Sequence, residues 1–140
     1  MKILLDTNII LNFLTGREDT YSHECVSIME MCAEHVVEGY VSLHSLSIIW
    51  YVLRKHPAET RLNWIKFICE VLTLAGADNE IVLKALENSD FKDFEDNLQD
   101  CCAQAVGADY LVTANLRHFS GRSRVPALSP AHFLKRLEQK

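Results

Sequence analysis

The sequence predicts an α/β fold built on a mostly parallel sheet of about five strands flanked by helices. Three observations lead there. Short apolar runs such as Ile3-Leu4-Leu5 read as strands buried on both faces. These runs alternate with longer segments whose apolar residues recur at helical spacing. A polar residue follows directly on the first and fourth strands, as at Asp6 and Thr113, giving a repeating order of strand, polar residue, helix.

The elements follow in order. Lys2 to Leu5 is the first strand. Thr7 to Leu14 is a helix through Ile9, Ile10, Phe13 and Leu14, ended by Gly16. Tyr21 to Glu34 is a second helix with Cys25, Ile28, Met29 and Cys32 on one face. Gly39 to Ser42 is the second strand. His44 to Lys55 is a third helix, stopped by Pro57, and Ala58 to Cys69 a fourth with Leu62, Ile65 and Cys69 inward. Val71 to Leu74 is a third strand and Asn79 to Asn88 a helix. Phe94 to Val106 is a helix ended by Gly107. Tyr110 to Thr113 and Val125 to Leu128 are the last strands. Ser129-Pro130 pairs an N-cap with proline at the first helical position, opening a closing helix through Phe133 and Leu137.

Bulk composition narrows the class. The 140 residues suit one domain spanning 1–140, and 49% hydrophobic with 24% charged residues is ordinary globular composition. No apolar run reaches the roughly 18 residues needed to cross a bilayer, and Met1-Lys2 leads into a strand rather than a signal peptide. The expectation is a soluble cytoplasmic protein with no membrane partner. The five cysteines, Cys25, Cys32, Cys69, Cys101 and Cys102, form no C-x-x-C pair and read as reduced thiols, mostly buried. A net charge of −5 argues against coating nucleic acid by bulk charge, but not against an enzyme that binds it locally.

Ligands of open parallel sheets bind beyond the carboxyl ends of the strands, so residues just after strands are the first functional candidates. Asp6 leads, with Thr7 and Asn8 behind it. A carboxylate at the edge of a core must be paired, hydrogen-bonded or bound to a metal. It also suits a helix N-cap, and one oxygen can cap while the other binds an ion. A second group is Asp90, Asp93, Asp96 and Asp100. Asp93, Asp96 and Asp100 are spaced i, i+3, i+7, which places them on one helical face, with Phe94, Leu98, Cys101 and Ala105 on another. They read either as a solvated face favoured by the helix dipole or as a set of like charges that a divalent cation would relieve. Thr113 and Asn115 follow the fourth strand, where turn and capping roles compete with function. Oxygen ligands of this kind suit Mg²⁺ or Mn²⁺. The six histidines show no zinc spacing.

Five stretches in order along the chain resemble the PIN-domain family. They are Met1 to Leu14, Ile48-Ile-Trp-Tyr-Val-Leu-Arg-Lys55, Asp93-Phe-Glu-Asp-Asn-Leu-Gln99, Ala108-Asp-Tyr-Leu-Val-Thr-Ala-Asn115 and Val125-Pro-Ala-Leu-Ser-Pro-Ala-His-Phe-Leu134. The resemblance implies a three-layer fold and Mg²⁺- or Mn²⁺-dependent cleavage of RNA. It implies further the toxin of a toxin–antitoxin pair, with an antitoxin protein as partner and a homodimer as assembly. In two-metal cleavage of phosphodiesters, one ion activates water and the other stabilises the leaving oxygen. Carried over by position, Asp6 and Asp96 are the principal metal ligands. Asp93 is their helper and Asn115 stands at a fourth acidic position. Thr7, Asn8, Thr113, His118 and Arg117 are candidate substrate contacts, and Arg54, Lys55 and Arg122 join Arg117 as candidate phosphate contacts, with surface solvation as their plainer role.

The chain departs from the family pattern in three places. The second family acid, normally a Glu in the helix after the second strand, aligns with Ile48, and no carboxylate lies between Tyr40 and Lys55. The fourth position is Asn115, and a later Asp is matched by His118. Fewer charges mean weaker cation binding. His44, Ser45 and Ser47 stand near the gap, yet none replaces a carboxylate as a base. Two readings stand: a metal-dependent ribonuclease with a reduced site, or a domain of the same fold that has lost catalysis and binds RNA or protein. Other α/β chemistries fit less well. An aspartyl phosphatase would carry Asp where Asn8 stands, and there is neither a P-loop nor G-x-G-x-x-G.

Overall fold

The computed structural model describes residues 1–16 and 21–140. Five strands form one all-parallel sheet: β1 (Lys2–Leu5), β2 (Glu38–Ser42), β3 (Thr73–Ala75), β4 (Tyr110–Val112) and β5 (Ala127–Leu128), in the order β3-β2-β1-β4-β5. Eight helices connect them among the described residues: α1 (Thr7–Thr15), α2 (Ser22–Ala33), α3 (Leu43–Val52), α4 (Ala58–Val71), α5 (Asn79–Glu87), α6 (Phe94–Ala105), α7 (Leu116–Phe119) and α8 (Pro130–Glu138).

Strand alternation sorts the core into two layers. Ile3, Leu5, Val41 and Val112 point to one face, where Ile9, Ile10, Cys25, Ile28, Met29, Ile49, Ile68 and Phe133 cover them. Leu4, Tyr40 and Leu111 point to the other, against Cys102, Ala103, Phe119 and Val125. Helices α1, α2, α3, α4 and α8 therefore cover one face, and α6 and α7 the other. Both faces being dry explains why β1 reads as unbroken apolar sequence. Gly39 sits where β2 passes under α2 and α4: a Cβ there would lie 2.6 Å from Cys32 Sγ and from Leu72 Cδ2.

Several boundaries differ from expectation. Helix α4 runs on through Val71, because the Leu72 N–H still reaches the Ile68 carbonyl at 2.8 Å. The third strand therefore starts at Thr73 rather than Val71. On α4, Ile68 is the buried residue, while Leu62 and Cys69 are exposed rather than inward. Helix α3 ends at Val52, not Lys55; Leu53 caps it and Pro57 instead precedes α4. Phe94, assigned to an apolar face, is half exposed at the start of α6. Gly16 closes α1 in the left-handed conformation at φ 59°, as its position predicts. All five cysteines are free and four are buried, Cys69 being the exception. No helix among the described residues is long and apolar enough to cross a membrane.

Candidate active site

The strand order places a topological switch point between β1 and β4, because connections leave β1 toward β2 on one side while β4 lies on the other. Asp6 occupies that point. Its backbone N–H donates to the Val112 carbonyl at 2.9 Å, continuing the β1–β4 ladder for one more residue. Its side chain then turns into four hydrogen bonds. Oδ1 accepts from the Thr7 N–H at 2.8 Å, capping α1, and from Gln99 Nε2 at 3.2 Å. Oδ2 accepts from Thr113 Oγ1 at 2.8 Å and from Asn8 Nδ2 at 3.3 Å. Asp6 is 3% exposed. Burial, and next the Glu95 carboxylate, push its carboxyl up to about 6, although Thr113 and the Thr7 N–H pull it down.

The neighbours of Asp6 are themselves tied together. The Asn8 carbonyl oxygen accepts from the Ala114 N–H at 3.2 Å, so Asn8 bridges the ends of β1 and β4. Gln99 is buried on α6; its amide also lies 2.9 Å from Ser45 Oγ and 3.2 Å from both Thr7 Oγ1 and Glu95 Oε1. Its carbonyl accepts from Ser42 Oγ at 2.6 Å, and Thr7 and Ser45 share a 2.8 Å bond. This buried polar network has Gln99 as its hub, connecting the ends of β1 and β2 with α3 and α6. Thr7 and Thr113, expected to touch substrate, are buried and spend their hydroxyls here.

An open cavity of about 240 Å³ lies above the network, lined by Asp6, Thr7, Asn8, Ile48, Asp93, Glu95, Asp96 and Asn115 among others. The structure thus brings Asp6, Asp93, Asp96 and Asn115 together. It adds Glu95, which the sequence reading passed over. Asp93, Glu95 and Asp96 present carboxylate oxygens within 4.8 Å of one another. Asp93 is the N-cap of α6, with Oδ1 accepting from the Glu95 and Asp96 N–H groups at 2.8 and 3.2 Å. Two histidines steady the acids: His118 Nδ1 lies 3.2 Å from Asp96 Oδ2, and His44 Nε2 lies 3.3 Å from Glu95 Oε1. Burial works against a charge on His44, but bonding to Cys102 and Glu95 outweighs it and raises the imidazole to about 9. Burial and the neighbouring Asp93 and Glu95 raise Asp96, with His118 opposing. A set of hard carboxylate oxygens gathered beside one open cavity is chemistry that fits Mg²⁺ or Mn²⁺.

Other candidates fall elsewhere. Asp100, expected on one face with Asp93 and Asp96, is buried and accepts from the backbone N–H of Arg124 and Val125 at 3.0–3.1 Å. Asp93, the N-cap with extended φ and ψ of −116° and 124°, stays beside Asp96 although it lies outside the helix, whereas Asp100, one turn further along α6, meets the Arg124–Val125 backbone instead of the cavity. Asp90 sits in the preceding turn. Arg54 and Lys55 lie beyond the far end of α3, whose last residue, Val52, is about 10 Å along its axis from Ser45; Arg54 packs over the Tyr51 ring instead. Arg122 borders a second cavity beside Asp96, with Lys92 and His118, and donates to the Arg117 carbonyl at 3.0 Å. Arg117 is exposed on α7. Ile48 does line the acidic cavity, so the departure noted in the sequence is a real apolar wall. Gln99 and Glu95 had one available signal: a glutamine four residues after a glutamate, within a helix whose first turn already carried the acids.

Solved structures share this architecture. A chain of the VapBC2 complex from Rickettsia felis, bound to a DNA fragment from its promoter, superposes with a TM-score of 0.71 at 18% identity, over 92% of this chain and 98% of that one. A chain of DNA-bound VapBC from Salmonella typhimurium gives 0.67 at 19%, over 93% and 98%. VapC20 of Mycobacterium tuberculosis, a toxin that cleaves the sarcin–ricin loop, gives 0.65 at 14%, over 89% and 98%. A search of curated proteins returned no match. The model of the PIN domain family matches residues 2–117, and the chain belongs to that family.

Proposed function

We propose that this chain is a single-domain, divalent-metal-dependent endoribonuclease acting as the toxin of a toxin–antitoxin pair. The observation that carries the reading is the convergence of Asp6, Glu95 and Asp96 on one open cavity at the switch point of the sheet. Structural neighbours that are toxins or toxin–antitoxin complexes support it, one of them a toxin that cleaves an RNA loop.

Asp6 and Asp96 would hold Mg²⁺ or Mn²⁺, with Asp93 and Glu95 completing the charge and Asn115 offering a carbonyl oxygen. A bound ion would supply a Lewis acid and an activated water for phosphodiester hydrolysis. The protein's own part is positional. Thr113, Asn8 and Gln99 fix the Asp6 carboxylate, and His118 and His44 orient Asp96 and Glu95. Lys92 and Arg122 supply positive charge beside Asp96 for the RNA backbone. Glu95 takes over the charge that the family places at the Ile48 position. An antitoxin partner, a homodimeric assembly and a cytoplasmic location belong to the same reading.

The test is cleavage of RNA in Mn²⁺ by the natural protein, Asp6→Asn and Glu95→Gln. Cutting by the natural protein and at least about a hundredfold loss in both variants is expected. Absence of cleavage together with no Mn²⁺ heat in calorimetry overturns the nuclease. The apolar Ile48 wall favours the second reading in that case: a PIN domain without catalysis, retained to bind RNA or protein.

A further inference from the structure

Next to the acidic cavity lies another of about 500 Å³, lined by Leu43, Leu46, Ala75, Ala77 and Leu98 with His44 and Ser47. Its size lies within the roughly 300–1,000 Å³ of small-molecule sites, and its walls have their composition: apolar surface with a few polar groups. It opens beyond the carboxyl ends of β2 and β3, on the same edge of the sheet as Asp6. Two helices form the partition between the cavities. On α3, Ser47 faces this cavity and Ile48 the acidic one; on α6, Leu98 faces this cavity and Glu95, one turn earlier, the acidic one. His44 lines the apolar cavity and reaches through the partition to Glu95.

We infer that this cavity is a nucleobase subsite, which takes one unpaired base of a single-stranded RNA whose adjoining backbone lies over the acidic cavity. The inference rests on the ribonuclease reading for its ligand class. The geometry selects the base. A phosphate has no place among Leu43, Leu46 and Leu98, whereas a flat base has two apolar faces and a polar edge for Ser47. A duplex would keep its bases stacked and out of reach, so the substrate is single-stranded or looped. Because Ser47 and Ile48, neighbours on α3, line one cavity each, one nucleotide can fill the apolar side while the phosphate beside it lies over the cation that the acids would hold.

The test needs no cleavage. Fluorescein-labelled hexaribonucleotides are titrated in Ca²⁺, with their integrity checked on a gel, against the natural protein, Ala77→Leu and Ser47→Leu. Each intact oligomer is paired with counterparts carrying a single abasic ribose at successive positions. Ala77, between β3 and α5, and Ser47, on α3, are exposed lining residues, so either leucine narrows the cavity from the solvent side. Loss of a stacked base typically weakens binding by about five- to 150-fold. At least a fivefold preference for the intact oligomer over one abasic position is expected in the natural protein, falling to within about twofold in both variants. Equal binding of intact and abasic oligomers by the natural protein overturns the inference. So does a preference that survives both substitutions. Should one variant fail to fold, the other and the abasic series in the natural protein still decide. Base-dependent binding without any RNA cleavage in Mn²⁺ would leave the subsite standing and remove only the nuclease.

Discussion

Replacing Asp6 by asparagine should stabilise the metal-free protein while destroying the site. The Asp6 carboxyl stands at about 6 against an ordinary 3.8. The folded state therefore favours the protonated form, and the contribution of Asp6 to stability is greatest below pH 3.8. It falls as pH rises from 3.8 to 6 and levels off above. The difference of about 2.2, at 1.36 kcal/mol per pKa unit, makes the ionised carboxylate cost about 3 kcal/mol at neutral pH. Because Asp6 is almost wholly buried, solvent screening takes little from that figure. Asparagine removes the charge and keeps an oxygen for the Thr7 N–H and Gln99. Its amide nitrogen can donate to Thr113 Oγ1 but confronts Asn8 Nδ2, which loses an acceptor. One lost hydrogen bond costs about 1 kcal/mol, leaving a net gain of about 2 kcal/mol. Urea unfolding in EDTA at pH 7.5 measures it, and the advantage should vanish by pH 4. Adding Mn²⁺ should then stabilise only the natural protein. An Asp6→Asn protein less stable than the natural one at pH 7.5 in EDTA would refute the reasoning, because the carboxylate would then be held by its hydrogen bonds rather than strained by burial.

Three further outcomes follow from the same geometry. Ile48→Glu places a carboxylate in the wall of the acidic cavity and should tighten Mn²⁺ binding about tenfold in calorimetry; unchanged affinity would mean that position 48 does not reach the ion. Asp100→Ala should lower unfolding stability by about 2 kcal/mol, since it strands the Arg124 and Val125 N–H groups, yet leave Mn²⁺ affinity unaltered. A fall in metal affinity would return Asp100 to the ligand set. Gly39→Ala should cost about 1–3 kcal/mol in the same unfolding assay, because its Cβ would press on Cys32 and Leu72 in the packed core; a neutral result would show that this layer yields more than its geometry suggests.

The fold class was legible because its determinants are local and repetitive. A strand buried on both faces must be continuously apolar, so Ile3-Leu4-Leu5 betrays itself without any knowledge of its neighbours. Glycine at a left-handed position and serine-proline at a helix start are equally local, and Gly16 and Ser129-Pro130 behaved accordingly. Asp6 could be singled out for the same reason: a carboxylate directly after such a strand has to be answered by something. The third strand was misjudged by two residues because nothing in Val71-Leu72 distinguishes the last turn of a helix from the first residues of a strand.

Which partners answer Asp6 was a different kind of question. Gln99 lies 93 residues away, Thr113 107, and both reach it only because β1 and β4 are neighbours and α6 crosses their ends. Side-chain chemistry does not announce such meetings. Asp93, Asp96 and Asp100 looked alike in sequence, but one caps a helix, one faces a cavity and one is consumed by a loop backbone. Glu95 looked like an ordinary surface glutamate of a first helical turn until α6 was set beside α3. The sequence by itself determined that a parallel sheet would carry a carboxylate at the end of its first strand. The tertiary structure alone decided which acids stand with that carboxylate and which merely hold the chain together. Burial and proximity are properties of packed elements, and no spacing along a single helix encodes them.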